Sequence, residues 1–252
     1  MKFKFFILLF FLSTSVFSQS VRLDGVTFLA LDRQGNSYVV CKERVNKYNG
    51  NLELQASYTS SFGKIHTVDV SDPFKPTLFC KDFVRLMLLD NKLAILGNPI
   101  FLPDVHILKP SLAARASENG VWLVDSYRRQ LVYLDFTLNT SRIASDLSVY
   151  EGVPNYAVER NGRVYVNFSD DNIAMFDKFG ALLRIIPIKT SGWFEVQDDQ
   201  LFFLSDKKLM CQNILDLGAP PVEIAQDVEL CAVAGKQVLT YTRGVANKSL
   251  LP

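Results

Sequence analysis

Residues 161–185 read NGRVYVNFSDDNIAMFDKFGALLRI, which is three short apolar runs separated by two polar turns. The runs are rich in Val, Ile, Tyr and Phe, residues that favour β-strands. Asn161 and Gly162, which precede the first run, tolerate the positive φ that a tight hairpin turn requires. The segment therefore predicts consecutive antiparallel strands joined by turns.

Hairpins of this kind recur along the chain at intervals of about forty residues. In each of them an apolar stretch enters a turn of Asp, Asn, Gly or Gln residues, and a second apolar stretch leaves it. The predicted hairpins lie at 28–40, 86–97, 114–125, 156–168, 194–206 and 230–242. The spacing indicates a repeat protein in which each hairpin belongs to one unit.

A second motif follows the hairpin and consists of an aliphatic residue, two spacers, a large apolar residue and then Asp or Asn. Its copies end at Asn49, Asp135 and Asp177. Recurrence of one residue type at matching positions indicates turn chemistry, because a catalytic residue is needed only once. Each unit thus supplies three or four strands and cannot bury both of its faces alone. We therefore predict an all-β fold, a single β-propeller of about six antiparallel blades.

Three pairs of segments resemble six-bladed propellers with NHL- or YWTD-like repeats. They are GNSYVV with NKYNGNLEL (35–54), NGVWLVD with LVYLDF (119–136), and NGRVYVNF with IAMFDKFGALLRI (161–185). The resemblance implies a six-bladed architecture. It implies little about activity, since this scaffold carries adaptors, receptors, lactonases, hydrolases and quinoproteins.

The second unit is irregular, and we interpret its segments separately. Residues 63–76 (GKIHTVDVSDPFKP) are expected to form the outer part of blade two, and residues 86–89 (LMLL) its channel-lining strand. Residues 97–110 carry three prolines, so we expect a loop that crosses one face of the disc. Ser111–Arg115 could form a single helical turn.

The two ends of the chain are expected to pair with each other. The last unit, ending at Leu251 and Pro252, is one strand short, whereas Ser20–Thr27 precedes any complete repeat. In closed propellers a strand from one terminus completes the blade at the other, which removes exposed sheet edges. We therefore expect the ring to be closed by pairing of the N- and C-terminal segments.

The first eighteen residues have the pattern of a cleavable signal peptide. Lys2 and Lys4 precede the apolar run Phe5–Leu12, and Val16 and Ser18 lie at the two positions that a signal peptidase recognises. The run is too short to span a membrane. We predict a signal peptide at 1–18 and a propeller domain at 19–252, exported to the periplasm or secreted, with no membrane insertion after cleavage.

The charge and the cysteine content limit the partners and the covalent cross-links that we expect. The 27 basic and 26 acidic residues nearly cancel and form no block of like charges, so we expect no nucleic-acid partner. Cys41, Cys80, Cys211 and Cys231 form no C-x-x-C pair. Each lies in or beside an apolar run, where a free thiol packs as a small hydrophobic residue, but an exported chain also permits disulfides. Both alternatives stay open.

Candidate chemistry in the sequence is sparse. The two histidines, His66 and His106, have no nearby ligand-type partners, so we predict no metal site and no cofactor. The predicted channel strands are mostly small and apolar, which leaves Arg115, Glu159 and Glu195 as weak catalytic candidates.

A separate segment is the candidate for contact with a partner. Ile100, Phe101 and Leu102 lie between two prolines, which remove backbone donors. The predicted loop would use these side chains either to plug the channel mouth or to anchor a partner protein.

Taken together, these features favour a non-catalytic exported scaffold or binding module of the bacterial cell envelope, acting through a propeller face. The expected partner is an envelope or secreted protein, and the module is expected to be a monomer. The alternative is a propeller-type hydrolase or lyase that uses channel carboxylates. A soluble sensor or lectin-like protein is a third hypothesis.

Processing of the chain can be tested directly. Mass spectrometry of the exported protein should give Gln19, or its cyclised form, as the N-terminal residue, because cleavage is expected after Ser18. A mature product that keeps Met1 would contradict the signal-peptide prediction.

Overall fold

A computed structural model describes residues 19–137 and 139–251, and the predicted signal peptide at 1–18 lies outside the described residues. Within those ranges the chain forms six four-stranded antiparallel sheets, arranged as the blades of a propeller. The predicted fold class is confirmed. The strands of each blade follow one another along the chain as a meander, apart from the last blade.

Each of the first three blades runs from an inner strand at the channel to an outer strand at the rim. Blade 1 contains β2 (Phe28–Leu31), β3 (Ser37–Cys41), β4 (Arg44–Tyr48) and β5 (Leu54–Thr59); blade 2 contains β6 (Thr67–Asp69), β7 (Thr77–Cys80), β8 (Arg85–Leu88) and β9 (Ile100–Phe101); blade 3 contains β10 (Pro110–Arg115), β11 (Gly120–Asp125), β12 (Gln130–Asp135) and β13 (Thr140–Asp146). A 3-10 helix, Leu102–Val105, connects blades 2 and 3.

The other three blades follow the same order. Blade 4 contains β14 (Pro154–Arg160), β15 (Arg163–Phe168), β16 (Asn172–Asp177) and β17 (Leu182–Ile186); blade 5 contains β18 (Phe194–Gln197), β19 (Gln200–Ser205), β20 (Lys208–Asn213) and β21 (Val222–Ala225); blade 6 contains β22 (Leu230–Ala234), β23 (Gln237–Thr242), β24 (Val245–Leu250) and, outermost, β1 (Gln19–Arg22).

The core of the described residues consists of six apolar clusters, each between two adjacent blades. In β3, Tyr38 faces blade 2 and packs in a cluster with Leu78, whereas its neighbour Val39 faces blade 6 and packs with Leu239. Successive side chains of a strand point to opposite faces, so middle strands such as β11 are buried throughout. Both faces of a blade are therefore apolar, and each blade is stabilised by two neighbours.

The residues that end the third strands shape the turns, as the repeat predicted. The Asn49 side chain accepts hydrogen bonds from the backbone N–H groups of Asn51 and Glu53. Asp177 does the same for Phe179 and Ala181. These are Asx turns, in which a short polar side chain replaces a backbone acceptor.

The predicted closure of the ring by the two termini is confirmed. β1 pairs antiparallel with β24 over four residues, from Gln19 with Lys248 to Arg22 with Val245. Just beyond the strand, the N–H of Leu23 donates to the carbonyl of Gly244, and the Tyr241 hydroxyl donates to the carbonyl of Leu23. The N-terminal strand thus covers the edge that blade 6 would otherwise expose.

Basic side chains join several blades through backbone carbonyls. Lys47 of β4 donates from Nζ to the carbonyl of Asn91 in blade 2, and Arg184 of β17 donates from Nη1 to the carbonyl of Ile214 in blade 5. Lys248 of β24 donates to the carbonyl of Gly35 in blade 1, and burial lowers the pKa of this lysine. These bonds satisfy turn carbonyls that face a neighbouring blade.

Four predictions about the irregular region were wrong. β6, within 63–76, is the innermost strand of blade 2, and residues 86–89 belong mainly to its third strand, β8. Ile100–Phe101, expected in a loop across a face, pairs with β8 as the outer strand β9. Ser111–Arg115, which could have formed one helical turn at most, lies in β10. Proline is tolerated beside an outer strand because one edge of that strand needs no partner.

The four cysteines are unpaired in the structure. Cys80 and Cys231 are buried, whereas Cys41 and Cys211 are half-buried. Burial raises the pKa of all four thiols, which lowers their reactivity. Among the described residues there is no helix with the length and apolarity needed to cross a bilayer.

The closure can be tested by deletion of Gln19–Arg22. Four cross-strand pairs are lost. Each pair contributes about 0.2–1 kcal/mol, so the free energy of unfolding should fall by about 1–4 kcal/mol. Urea denaturation measures the loss. A synthetic peptide of residues 19–27 should restore the stability and a scrambled peptide should not, while unchanged unfolding after the deletion would contradict the closure.

Candidate functional site

The central channel is a concave feature of the described residues. The innermost strands enclose a cavity of about 460 Å³, and a second cavity of about 380 Å³ adjoins it. Both cavities are lined by Arg33, Ser71, Arg160 and Asn161. These residues lie at or beyond the C-terminal ends of the inner strands, where each chain turns into its second strand. We call this end of the channel the mouth.

A largely buried ion pair joins blades 4 and 5 in the channel. The two oxygens of Glu195 accept hydrogen bonds from Nε and Nη2 of Arg160, each at 2.6 Å. One of these oxygens also accepts the backbone N–H of Val196 at 3.0 Å. Glu195 is only 8% exposed. A bidentate pair of this kind is planar and fixes both side chains.

Burial governs the titration of this pair and of its neighbour Tyr156. Burial raises the pKa of Glu195, and the opposing charge of Arg160 does not fully offset it. Burial alone would lower the pKa of Arg160, but the carboxylates of Glu195 and Asp69 raise it. Burial, with the charge of Glu195, also raises the pKa of the Tyr156 phenol. Arg160 therefore stays cationic, and Tyr156 stays a neutral phenol.

Asp69 is a channel residue that the sequence analysis missed. One of its oxygens accepts the backbone N–H of Arg115 at 2.8 Å, and the other accepts that of Ser71 at 2.9 Å. The bond to Arg115 satisfies a donor on the inner strand of blade 3. The signal that could have identified Asp69 is the segment VDVSDP, had it been assigned to an inner strand and its turn.

The predicted candidates Glu159 and Arg115 lie together at the second cavity. The two oxygens of Glu159 accept the backbone N–H groups of Ser117 and Gly162. Arg115 is 6% exposed, and its Nη1 donates to the carbonyl of Gly120 at 3.0 Å. Its Nε has no hydrogen-bond partner. Burial lowers the pKa of Arg115, and Asp72 and Asp69 oppose that shift.

The three catalytic candidates do not form one constellation. Glu195 lines the first cavity with Arg160, whereas Arg115 and Glu159 line the second. The two histidines, His66 and His106, line neither cavity. Across 19–137 and 139–251, no three His, Cys, Asp or Glu side chains are grouped so that they could hold a metal ion.

The predicted interaction segment lies away from the channel. Leu102 is fully buried between blades 2 and 3, so it cannot serve as an exposed anchor. Ile100 and Phe101 are half-buried, and the guanidinium carbon of Arg85 lies 3.8 Å from the centre of the Phe101 ring. The segment therefore does not plug the channel mouth. Contact of Ile100 and Phe101 with a partner stays a prediction.

No protein-family model and no curated protein sequence matches this chain. Several solved structures, in contrast, are similar to it over most of its length. A streptogramin B lyase has a TM-score of 0.63 at 11% identity, covering 94% of this chain and 87% of that one. A catalytically inactive variant of virginiamycin B lyase from Staphylococcus aureus, with quinupristin, has a TM-score of 0.62 at 11% identity, covering 94% and 89%. A chain of the mitotic checkpoint complex has a TM-score of 0.66 at 9% identity, covering 99% and 97%. At these identities the similarity shows the propeller fold alone.

The role of Glu195 can be tested without a known substrate. Glu195→Ala removes the carboxylate that pairs with the largely buried Arg160 guanidinium, which keeps only its bond from Nη1 to the carbonyl of Glu159, so the free energy of unfolding should fall by about 3–5 kcal/mol. The double variant Arg160→Met/Glu195→Leu replaces both charges by apolar groups and should unfold close to the parent. Urea denaturation measures both. Unchanged or increased stability of Glu195→Ala would contradict a structural role, since active-site groups often reduce stability.

Proposed function

We propose that this chain is a non-catalytic binding module of the bacterial cell envelope that acts through the propeller face at the channel mouth. The observation that carries the proposal is that the channel carboxylates already accept hydrogen bonds from groups of the protein itself. Both oxygens of Glu195 are held by Arg160, and both oxygens of Glu159 accept backbone N–H groups. Groups held in this way fix the inner strands in place and are poorly suited to move protons.

The same face carries large exposed apolar side chains on blade 2. Phe74 is 62% exposed, Ile95 44% and Leu96 39%. Phe74 lies in the turn after β6, and Ile95 and Leu96 follow the third strand β8, so both turns are at the mouth end of the blade. We call these three residues the blade-2 patch. Exposed apolar side chains beside polar groups are typical of protein-binding surfaces, and a buried aromatic anchor often dominates such contacts.

The blade-2 patch adjoins the channel mouth. Asp72 and Pro73, in the same turn as Phe74, line the second cavity. The carbonyl of Pro76 accepts the N–H of Leu89, and Leu89 forms a β-bridge with Ile95. This link connects the two turns of the patch. A partner seated on Phe74 would therefore also meet the charged rim of the channel.

The alternative function is a propeller-type lyase or hydrolase that uses Arg115, Glu159 and Glu195. The similarity to two lyases supports it at the level of the fold. One of those lyases is catalytically inactive and carries an alanine in place of a histidine. In this chain neither His66 nor His106 lines a channel cavity. This difference favours the binding module.

The proposal includes the location and the partner class. The signal-peptide pattern at 1–18 supports export to the periplasm or the medium. The repeat resemblance supports an NHL- or YWTD-like propeller. We propose a monomeric module whose partner is an envelope or secreted protein, and the exposure of Phe74 supports a protein contact.

The binding face can be tested by photo-cross-linking in the bacterium that makes the protein. The photo-reactive analogue p-benzoylphenylalanine in place of Phe74 should give one discrete cross-linked protein. The same analogue in place of Tyr127, which is 70% exposed in the turn at the opposite end of blade 3, is the matched control and should give none.

Phe74→Ala should then reduce recovery of that partner and leave thermal unfolding unchanged, since the side chain is mostly exposed. Cross-linking from Tyr127 alone, or undiminished recovery with Phe74→Ala, would overturn the proposal.

A further inference from the structure

The two sides of the channel cavity differ in chemistry. Blades 6 and 1 contribute apolar wall residues, among them Leu29, Leu31 and Val233. Blades 2, 4 and 5 contribute Asp69 and the pair of Arg160 with Glu195. Cavities that bind small molecules are commonly about 300–1,000 Å³, mostly apolar, with a few placed polar groups. The channel, at about 460 Å³, has the size of such a cavity, and its lining is divided about equally between polar and apolar surface.

The acidic groups of the polar side already have partners. Each of the six carboxylate oxygens of Asp69, Glu159 and Glu195 accepts at least one hydrogen bond. The partners are backbone N–H groups and the Arg160 guanidinium. A ligand that brought only donors would have to compete with these internal bonds.

Several hydrogen-bond donors of the channel lining, in contrast, have no partner in the protein. Arg33, exposed at the mouth and lining both cavities, makes no ion pair or side-chain hydrogen bond with another described residue. Nε of Arg115 and Nε2 of Gln197 are buried and have no hydrogen-bond partner. Arg115 lines the second cavity and Gln197 the first. Unpaired buried donors are uncommon, because each loses its hydration without gaining a hydrogen-bond partner. Arg33 is directly accessible to a ligand that supplies acceptors, whereas Nε of Arg115 and Nε2 of Gln197 are covered by neighbouring atoms and would be reached after a small rotation of their side chains.

The charge of the lining limits the kind of acceptor. Basic residues are outnumbered by acidic ones, since Arg33, Arg115 and Arg160 face Asp69, Asp72, Glu159, Glu195 and Asp198. An anionic ligand would meet a net negative site, and like charges in a cavity repel more strongly than in water. Acceptors that carry no charge, such as carbonyl oxygens, avoid this repulsion.

We propose that the channel binds a small uncharged molecule with carbonyl acceptors on an apolar body, that is, an amide, an ester or a lactone. The apolar body lies against the wall of blades 6 and 1. The carbonyl oxygen accepts from the free donors near the mouth, with Arg33 the most accessible of them. This goes beyond the proposed function, because a protein partner on the blade-2 patch needs nothing in the channel.

The test uses three probes with one six-carbon body: hexanamide, hexanoate and hexylammonium. Trp193 lines the cavity, and its indole N–H resonance reports occupancy by NMR. The only other tryptophan, Trp122, is buried in blade 3 and is the internal control. Trp193→Phe identifies the resonance. Hexanamide should shift the Trp193 signal saturably, and hexanoate and hexylammonium should bind at least tenfold more weakly.

Two variants connect the effect to the donors. Arg33→Met removes the guanidinium group and Gln197→Met removes the amide group, and each keeps a side chain of similar length. Each variant should weaken hexanamide binding by about three- to tenfold, the value of the one hydrogen bond that the ligand carbonyl would accept from that group. Arg243→Met, at an exposed position in the turn after β23, is the matched control and should bind like the parent.

Equal or tighter binding of hexanoate or hexylammonium would overturn the ligand class. Absence of any saturable shift of Trp193 with hexanamide, or parent-like binding by both donor variants, would overturn the site. These outcomes leave cross-linking at Phe74 unaffected, so failure of this inference and failure of the proposed function are distinguishable.

Discussion

Each blade of this propeller is apolar on both faces, and the rest of the structure follows from that constraint. The six core clusters of the described residues lie between blades, and none lies within a single blade. One sheet alone would expose an apolar face on each side. Exposure of apolar surface to water costs about 25 cal/mol per Å², so an isolated blade would be unstable. Packing in a ring gives every sheet two neighbours. The channel is the space that remains where the six inner edges meet.

Most of this architecture could be predicted from local chemistry. Turn residues such as Asn49 and Asp177 act within four residues of themselves, so their pattern is visible in the sequence. Blade 2 could not be predicted in the same way. Its inner strand, Thr67–Asp69, has three residues and its outer strand, Ile100–Phe101, has two. Runs that short carry no periodicity, and only pairing with the strands between them defines them as strands.

The site was predictable only in part, for a different reason. The sequence places Glu159, Glu195 and Arg115 near the channel because inner strands can be recognised. It does not give their partners, since Arg160 and Glu195 are 35 residues apart and Asp69 and Arg115 are 46 apart. Those pairs depend on how adjacent blades are rotated against each other. Arg160 lies beside Glu159 in one strand, yet the Arg160 side chain bonds to blade 5 whereas the Glu159 side chain bonds to the end of blade 3.

The strand that closes the ring joins the two ends of the chain, which has a consequence for the order of folding. Leu23 and Tyr241, which meet at the closure, are separated by 218 residues, whereas the other blades are built from neighbours in the chain. Loop-closure entropy rises with separation, and contacts of high order form slowly. A ribosome makes the first strand long before its partner exists. We therefore expect blade 6 to be completed last, and a chain interrupted before β24 to keep an open sheet edge at which a second molecule could pair.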